Sequence, residues 1–358
     1  MISRPRIAVI GLGIGTEHLE ALSECAEDFE IVALCDNNDV LLKKLGERYD
    51  VALLLRRWEE VISRDDVDVV DICLPPFLHV PVAIAALRSG KSVVLEKPIA
   101  TNLDDLKALV DATKASSGRL YPVFQYRYGK GISAVQALRR AGLLGEPVTG
   151  VVETHWARDA SYFDVRWRSD PSLAGGGAII SHAIHAHDLL EKIAGPVEPI
   201  AAAAGKFRLA ANIEDTVAVV FKAENGAPVS SSVTLSSAED HSRFRLCFEH
   251  ATLESKCNPY LPGGEYWRVI PTSSGDTQAI QECVDGFDDT PAGFDGFFSE
   301  LAASLRGEEA DLPTLEDGAR SIELANKIHE LRVRTDQTNR GQKHKKKQRA
   351  ANSTRLEN

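Results

Sequence analysis

Arg6–Ile10 is a short run of β-forming residues that stops at Gly11-Leu12-Gly13-Ile14-Gly15, after which Gly15–Ala26 takes up a helical pattern with Leu19, Leu22 and Ala26 on one face. A strand that ends in alternate glycines and restarts as a helix can enter few folds. Glycines there allow a tight turn and bring the backbone close to a bound anion, whose charge the helix N-terminus favours. The spacing departs from G-x-G-x-x-G because position 16 is Thr. Such turns also occur without nucleotides, so the reading depends on the chain beyond residue 26.

That chain alternates between strand and helix patterns. Glu30–Cys35 reads as a second apolar strand, Val40–Tyr49 as a helix and Val51–Leu54 as a short strand. Asp68–Leu74 is a strand stopped by Pro75-Pro76. Val80–Arg88 is a helix closed by Gly90, and Ser92–Leu95 is the next strand. Thr101 or Asn102 caps a helix through Ala115, and Leu120–Phe124 is a further strand. This βαβ order predicts a doubly wound parallel sheet over residues 1–125.

Asp36 ends the second strand about 20 residues beyond the glycines, where an acid accepts hydrogen bonds from ribose hydroxyls. The alternative is a helix N-cap. An acid followed by Asn37 and Asn38, with no arginine, favours NAD over NADP. Leu74 and Pro75 end another strand on the same edge, where a loop passes close to a dinucleotide. His79 just beyond either borders that cofactor or serves packing.

Glu96-Lys97-Pro98 comes directly after Ser92–Leu95, at the edge where open parallel sheets bind ligands. The proline restricts the lysine before it and aims the ammonium. Alone, E-K-P is a surface turn; beside a dinucleotide site it is a proton-transfer group for hydride chemistry.

After about residue 145 the texture changes. Pro147–Trp156, Ile200–Phe207, Thr216–Phe221, Val229–Leu235, Phe244–His250 and Tyr266–Ile270 read as strands, with a hairpin turn at Glu224-Asn225-Gly226. Helices are read over Ala178–Ile193, Gly293–Arg306 and Thr314–Leu331. Residues 126–331 are thus expected to form an α+β domain with a largely antiparallel open sheet, the final helices packing back on the first domain. Gly175-Gly176-Gly177 opens the helix that carries Ser181, His182, His185, His187 and Asp188. Ser181, His185 and Asp188 share one helical face and His187 points away. The glycines are read as admitting cofactor or substrate. Neither an HExxH pattern nor a cysteine pair accompanies these histidines, and no metal is expected.

The bulk numbers bound the function. The chain has 358 residues, 44% of them apolar, enough for two domains. Its six cysteines are dispersed, so neither a disulfide framework nor a zinc cluster is expected. Formal net charge is −11. Residues 332–358 hold nine Lys/Arg against two acids, +7, leaving −18 on the rest. An acidic body excludes nucleic acid as the main partner, and the basic tail reads as disordered and solvated. With neither a spanning apolar run nor a signal-peptide h-region, the protein is read as cytoplasmic, without a membrane partner.

Together these residues resemble the Gfo/Idh/MocA family of nicotinamide-dependent oxidoreductases. The likeness rests on the glycine turn with His18, Asp36, Leu74-Pro75-Pro76 with His79, and Ser89-Gly90-Lys91 before Glu96-Lys97-Pro98. It continues through Gln125-Tyr126-Arg127-Tyr128, Trp167-Arg168 and Gly175–Asp188. The resemblance implies a Rossmann domain, a second domain whose open sheet often forms an oligomer interface (a homodimer or homotetramer), and a sugar or polyol as small-molecule substrate. It implies hydride transfer between a secondary alcohol of a sugar, sugar derivative or cyclitol and nicotinamide C4. Lys97 and His185 match its catalytic pair, while its common aspartate, four residues before that histidine, is Ser181 here, so either the histidine takes the alcohol proton or Lys97 acts with a substrate hydroxyl held by Ser181 or His182. Expected substrate contacts are Ser181, His182, Asp188, Arg127, Trp167 and Arg168, with Tyr162 and Trp156 as weaker candidates. Expected cofactor contacts are Gly11, Gly13, Ile14, Gly15, Asp36, Asn37, Leu74, Pro75, His79, Glu96 and Lys97. A redox-neutral elimination or hydrolysis through transient oxidation, and a nucleotide-sensing regulator, are the rival readings.

Overall fold

The computed structural model describes residues 4–207 and 213–332. The reading of the basic tail beyond Arg332 lies outside these residues. The first sheet holds β1 (Arg6–Ile10), β2 (Glu30–Cys35), β3 (Leu54–Leu55), β4 (Val69–Ile72), β5 (Ser92–Leu95) and β6 (Leu120–Pro122). They run parallel in the order 3-2-1-4-5-6, the doubly wound arrangement expected. Continuous apolar sequence suits these strands because helices cover both faces. Ile7, Ala8, Val9, Val70, Ile72, Val93 and Val94 are fully buried.

Register sets up the site. Ile10 lies opposite Cys35 on one side and Ile72 on the other, and Ile72 lies opposite Leu95. The residues after them, Gly11, Asp36, Cys73 and Glu96, therefore share one edge. The strand order reverses between β1 and β4, which opens a crevice at that edge. Helices Gly15–Glu24, Asp39–Arg48, Pro76–Arg88 and Leu103–Ala115 connect the strands. Asn102 caps the last of these by accepting from the Asp105 amide at 2.9 Å.

The second sheet holds β7 (Pro147–Ala157), β8 (Val197–Gly205), β9 (Thr216–Ala223), β10 (Pro228–Thr234), β11 (Ser236–Phe248), β12 (Ala251–Glu254) and β13 (Arg268–Pro271). Their order is 13-12-11-7-10-9-8, antiparallel throughout except where β10 meets β7. The hairpin between β9 and β10 turns at Gly226 with φ +92°. One sheet face, with Val152, Phe221 and Phe244, packs on Leu189, Leu190 and Ile193 of helix Ile184–Ala194 and on Val135 and Leu138 of helix Lys130–Arg140.

The two layers are joined by C-terminal helices. Helix Gly293–Arg306 places Phe297, Phe298 and Leu301 in the same core as Leu19 and Leu22 of the first helix. Burial of each is worth about 1.5–3 kcal/mol. A helix over 315–332 gives Ile322 to the first sheet's core and Leu324 and Ile328 to the second's. Both helices thus pack back on the first domain.

Three local readings need correction. β11 begins at Ser236, eight residues before the expected Phe244, because its first half is a polar strand whose alternation is masked on an open sheet. β12 and helices Trp58–Ile62, Lys130–Arg140 and Thr277–Val284 were not expected. The run read as one helix from Ala178 begins with a π-type turn, Ile179–Ala183, before the regular helix Ile184–Ala194. No helix among the described residues is long and apolar enough to cross a membrane.

Candidate active site

The three glycines at the end of β1 do different things. A Cβ on Gly11, at φ +91°, would meet the Cys73 carbonyl oxygen at 2.6 Å, so this turn admits no side chain. A Cβ on Gly15 would press on Val9 at 3.1 Å, where helix meets sheet. Gly13 faces open space. That trio supplies a tight turn, close helix packing and a bare backbone along the crevice, the three needs of a bound pyrophosphate.

A cavity of about 630 Å³ runs past Gly11, Gly13 and Ile14 to Asp36 and Asn37 at one end, and past Leu74 and Pro75 to Glu96, Lys97 and Ser181 at the other. Gly15 lies under it as packing. A wider, open groove of about 1270 Å³ beside helix Gly15–Glu24 shares Ile14 and Gln125 but carries none of the E-K-P residues.

Asp36 is not a helix cap: Asn38 caps helix Asp39–Arg48, accepting from the Leu41 amide. Asp36 instead accepts from the Leu12 amide at 2.7 Å and the Asn38 amide at 2.8 Å, tying the glycine turn to β2. Arg56 also reaches this end and pairs with Asp39 at 3.1 Å. It was missed because 20 residues separate it from Asp36. Asp36→Ala should weaken NAD binding about 10–100-fold, the value of hydrogen bonds to a charged group, with NADP little changed. Fluorescence titration with both cofactors checks this. Equal losses would mean that Asp36 only braces the Leu12 turn.

His79 does not line the cavity. Its Nδ1 lies 2.7 Å from the Pro98 carbonyl oxygen and its Nε2 2.6 Å from that of Leu74, so it staples together the two loops that do. Glu96 is likewise engaged. One oxygen lies 3.2 Å from His18 Nε2, and the other accepts from the Lys97 amide at 3.0 Å. His18 Nδ1 meets Asp71 at 2.9 Å. Burial opposes charge on His18, but Asp71 and Cys73 raise its pKa well above the ordinary value, so it sits as an imidazolium between two carboxylates. Burial also opposes ionisation of Glu96, yet His18 and Lys97 hold it down at about 2. His18, Asp71 and Cys73 bring ligand atoms within 4.8 Å of one another, with both His18 nitrogens already on carboxylates.

Lys97 thus stands on a rigid, charged base. Its Nζ donates to the Ser181 carbonyl oxygen at 3.3 Å, and its side chain lines the cavity. Burial lowers its pKa, Glu96 pulls it back up, and Arg158 adds to the lowering.

The segment opposite divides the residues expected on one helical face. Ser181 lines the cavity. Its hydroxyl donates to the Gly177 carbonyl oxygen at 2.7 Å and lies 2.6 Å from His182 Nδ1. His185 is buried, stacked on Tyr126 at 5.0 Å and edge-on to Phe124, with Nδ1 unpartnered among the described residues. Burial, then Lys97, holds its pKa well below the ordinary value. Asp188 turns inward onto Arg127, at 2.7 and 2.6 Å, and Arg127 also reaches Asp317 at 3.1 Å. These two expected substrate contacts form a buried ion network outside the cavity lining, because a bidentate partner lies within reach of each. His187 points away as expected, onto Ser231 Oγ at 2.9 Å. Gly177 serves packing: a Cβ there would strike Glu214.

Trp167, Arg168 and Tyr162 line the cavity with Gln125. Trp156 is buried, edge-on to His182, with its N–H on Ser242 Oγ. Gln125 went unassigned because nothing local marks it; it reaches the site in the short turn Gln125–Arg127 after β6.

Known proteins share this fold. Residues 5–124 match the model of the oxidoreductase family with an NAD-binding Rossmann fold, and residues 132–254 match the GFO/IDH/MocA C-terminal domain. The chain belongs to the Gfo/Idh/MocA oxidoreductase family, and its first domain is that family's NAD-binding domain. It is 30% identical to D-apiose dehydrogenase of Paraburkholderia graminis over 245 residues, 68% of this chain and 63% of that one. It is 29% identical to levoglucosan dehydrogenase of Pseudarthrobacter phenanthrenivorans over 164 residues, 45% of this chain and 42% of the relative. These matches therefore span about two fifths to three fifths of the relatives' lengths. The WlbA dehydrogenase of Bordetella pertussis, solved with NADH and UDP-GlcNAcA, superposes with a TM-score of 0.80 at 24% identity, covering 92% of this chain and 97% of that one.

Proposed function

We propose that this chain is an NAD-dependent dehydrogenase of a secondary hydroxyl on a sugar, sugar derivative or cyclitol. The observation that carries the reading is Lys97, which lines the same cavity as the bare Gly13 backbone and whose Nζ meets the Ser181 carbonyl oxygen and no carboxylate among the described residues. Bound NAD supplies the hydride acceptor, nicotinamide C4. The chain supplies the proton chemistry: as the C–H bond of the alcohol breaks, its O–H proton passes to neutral Nζ of Lys97. Ser181 faces the same space and orients the alcohol. His182 and His185 stay uncharged, each held low first by burial and then by Lys97, so neither competes with Lys97 for the proton. The relatives named D-apiose dehydrogenase and levoglucosan dehydrogenase support a carbohydrate substrate.

The test is a screen at 340 nm with NAD or NADP and matched aldoses, uronates, amino sugars and inositols. NADH should form with one stereochemical group. Silence across the panel while NADH still binds would move the chain to redox-neutral or sensing chemistry. Where a substrate turns over, kcat for oxidation should rise with pH and level off above an apparent pKa lying below lysine's usual value of about 10.4. The sign comes from the neutral amine being the base, and ketone reduction should fall through the same value.

We further propose that a second copy of the chain pairs on the open face of the second sheet, where Val151 and Val220 point outward and exposed. Light scattering at the dimer or tetramer mass supports this, and a monomer at micromolar concentration contradicts it.

A further inference from the structure

Arg158 and Arg168 stand in one alternating stack with three aromatic rings. The Arg158 guanidinium lies over Trp156 at 4.8 Å and over Tyr162 at 5.4 Å. That of Arg168 lies over Tyr162 at 4.3 Å and over Trp167 at 5.2 Å. The two arginines differ in how their charge is met. Arg158 is paired with Asp240 at 3.1 Å and donates to the Tyr260 hydroxyl. Arg168 has no ion pair among the described residues. Among those residues its one hydrogen bond is a long 3.3 Å contact from Nη1 to the Tyr162 carbonyl oxygen, and its Nε is buried with no partner there.

Arg168 lines the cavity together with Lys97 and Ser181. Two acids line that cavity. Asp36 is at the adenosine end, and Glu96 is engaged by His18 and the Lys97 amide. The half of the cavity where the alcohol must lie is therefore positive. A half-buried guanidinium that meets no carboxylate among the described residues can be completed by an anionic ligand. Ring stacking fixes such a group in place while leaving its charge without a carboxylate, which pairing with a protein acid would not.

We propose that the substrate is an acidic sugar, and that Arg168 binds its carboxylate while the alcohol to be oxidised sits at Lys97. This rests on the dehydrogenase reading and narrows its substrate class. A carboxylate matches the planar fork of a guanidinium with two parallel hydrogen bonds, a geometry a neutral hydroxymethyl group cannot offer. The same positive field is felt by His182, whose pKa is lowered first by burial and then by Lys97, Arg158, His185 and Arg168.

The test reads binding before turnover. The NADH complex of the whole chain is titrated with D-glucuronate and D-galacturonate, each against its neutral match, D-glucose and D-galactose. At least one acid should bind tenfold or more tightly than its neutral match. Arg168→Gln should weaken that acid about 10–100-fold, leave the neutral sugar unchanged and leave NADH affinity unchanged, and Arg168→Lys should recover part of the loss. Neutral sugars binding as well as the acids in the wild type, or no acid binding at all, would overturn the proposal without needing any variant to fold. So would an Arg168→Gln variant that loses NADH affinity as strongly, which would put the guanidinium on the cofactor's pyrophosphate. Acids bound tightly but never oxidised would leave this inference standing and remove the dehydrogenase reading. Neutral sugars oxidised while acids are ignored would do the reverse.

Discussion

Lys97→Ala is expected to lower kcat for alcohol oxidation by about 10²–10⁴-fold, the usual contribution of a positioned general base, with NADH affinity little changed. The side chain projects into the cavity from the end of β5, and its removal leaves the Glu96–His18–Asp71 base intact. Lys97→Arg should be nearly as poor, because a guanidinium keeps the charge but cannot act as base at any working pH. His185→Gln provides the comparison. His185 is packed against Tyr126 and Phe124, so its loss should act through packing and stay well short of the Lys97 effect. A His185 loss that matches or exceeds that of Lys97, with the fold intact, would transfer the proton to the imidazole.

Arg127→Ala should be the most destabilising single change, by about 3–5 kcal/mol, read as a lower urea midpoint. It leaves Asp188 buried with neither of its two donors and removes the ion-pair partner of Asp317, which keeps only its bonds from Thr314. Although burial pulls the other way, Asp188 and Asp317 hold the Arg127 pKa above its ordinary value, so this charge is firmly kept. The network ties the turn after β6 to helix Ile184–Ala194 and to the closing helix, which are 61 and 190 residues apart from Arg127 in sequence. Arg127→Met with Asp188→Leu should recover much of the loss, since replacing a buried pair costs far less than breaking it. If Asp188→Asn instead kept stability and raised only KM, Asp188 would be a substrate ligand after all.

Much of the first domain was legible because its chemistry is local. Buried parallel strands are continuous apolar runs, and Gly11, Pro75-Pro76 and Gly90 punctuate them where the chain turns. Lys97 was legible because strand, lysine and proline are contiguous. The second sheet was legible where one face is dry, as in the strict alternation of β9, and lost where both faces are polar, as in Ser236–Arg243. The segment after Gly177 misled for a different reason. A 3.6-residue period puts Ser181, His185 and Asp188 on one stripe, but the π-type turn advances fewer degrees per residue, and the partners of each are set by distant chain. His185 meets Tyr126, Asp188 meets Arg127, and Arg158 meets Asp240. Only tertiary structure brings those pairs together, which is why Asp188 and Arg127 read as pocket residues in sequence and stand as a buried brace in the fold.

The central claim is that this chain moves a hydride from a carbohydrate C–H bond to NAD. The most direct measurement uses a substrate from the 340 nm screen, deuterated at the carbon that bears the reacting hydroxyl. The recovered NADH is then examined by NMR for label at nicotinamide C4. One deuterium per ketone formed is the predicted result. Label that returns to the sugar product, or appears in solvent with none on the recovered cofactor, would contradict it.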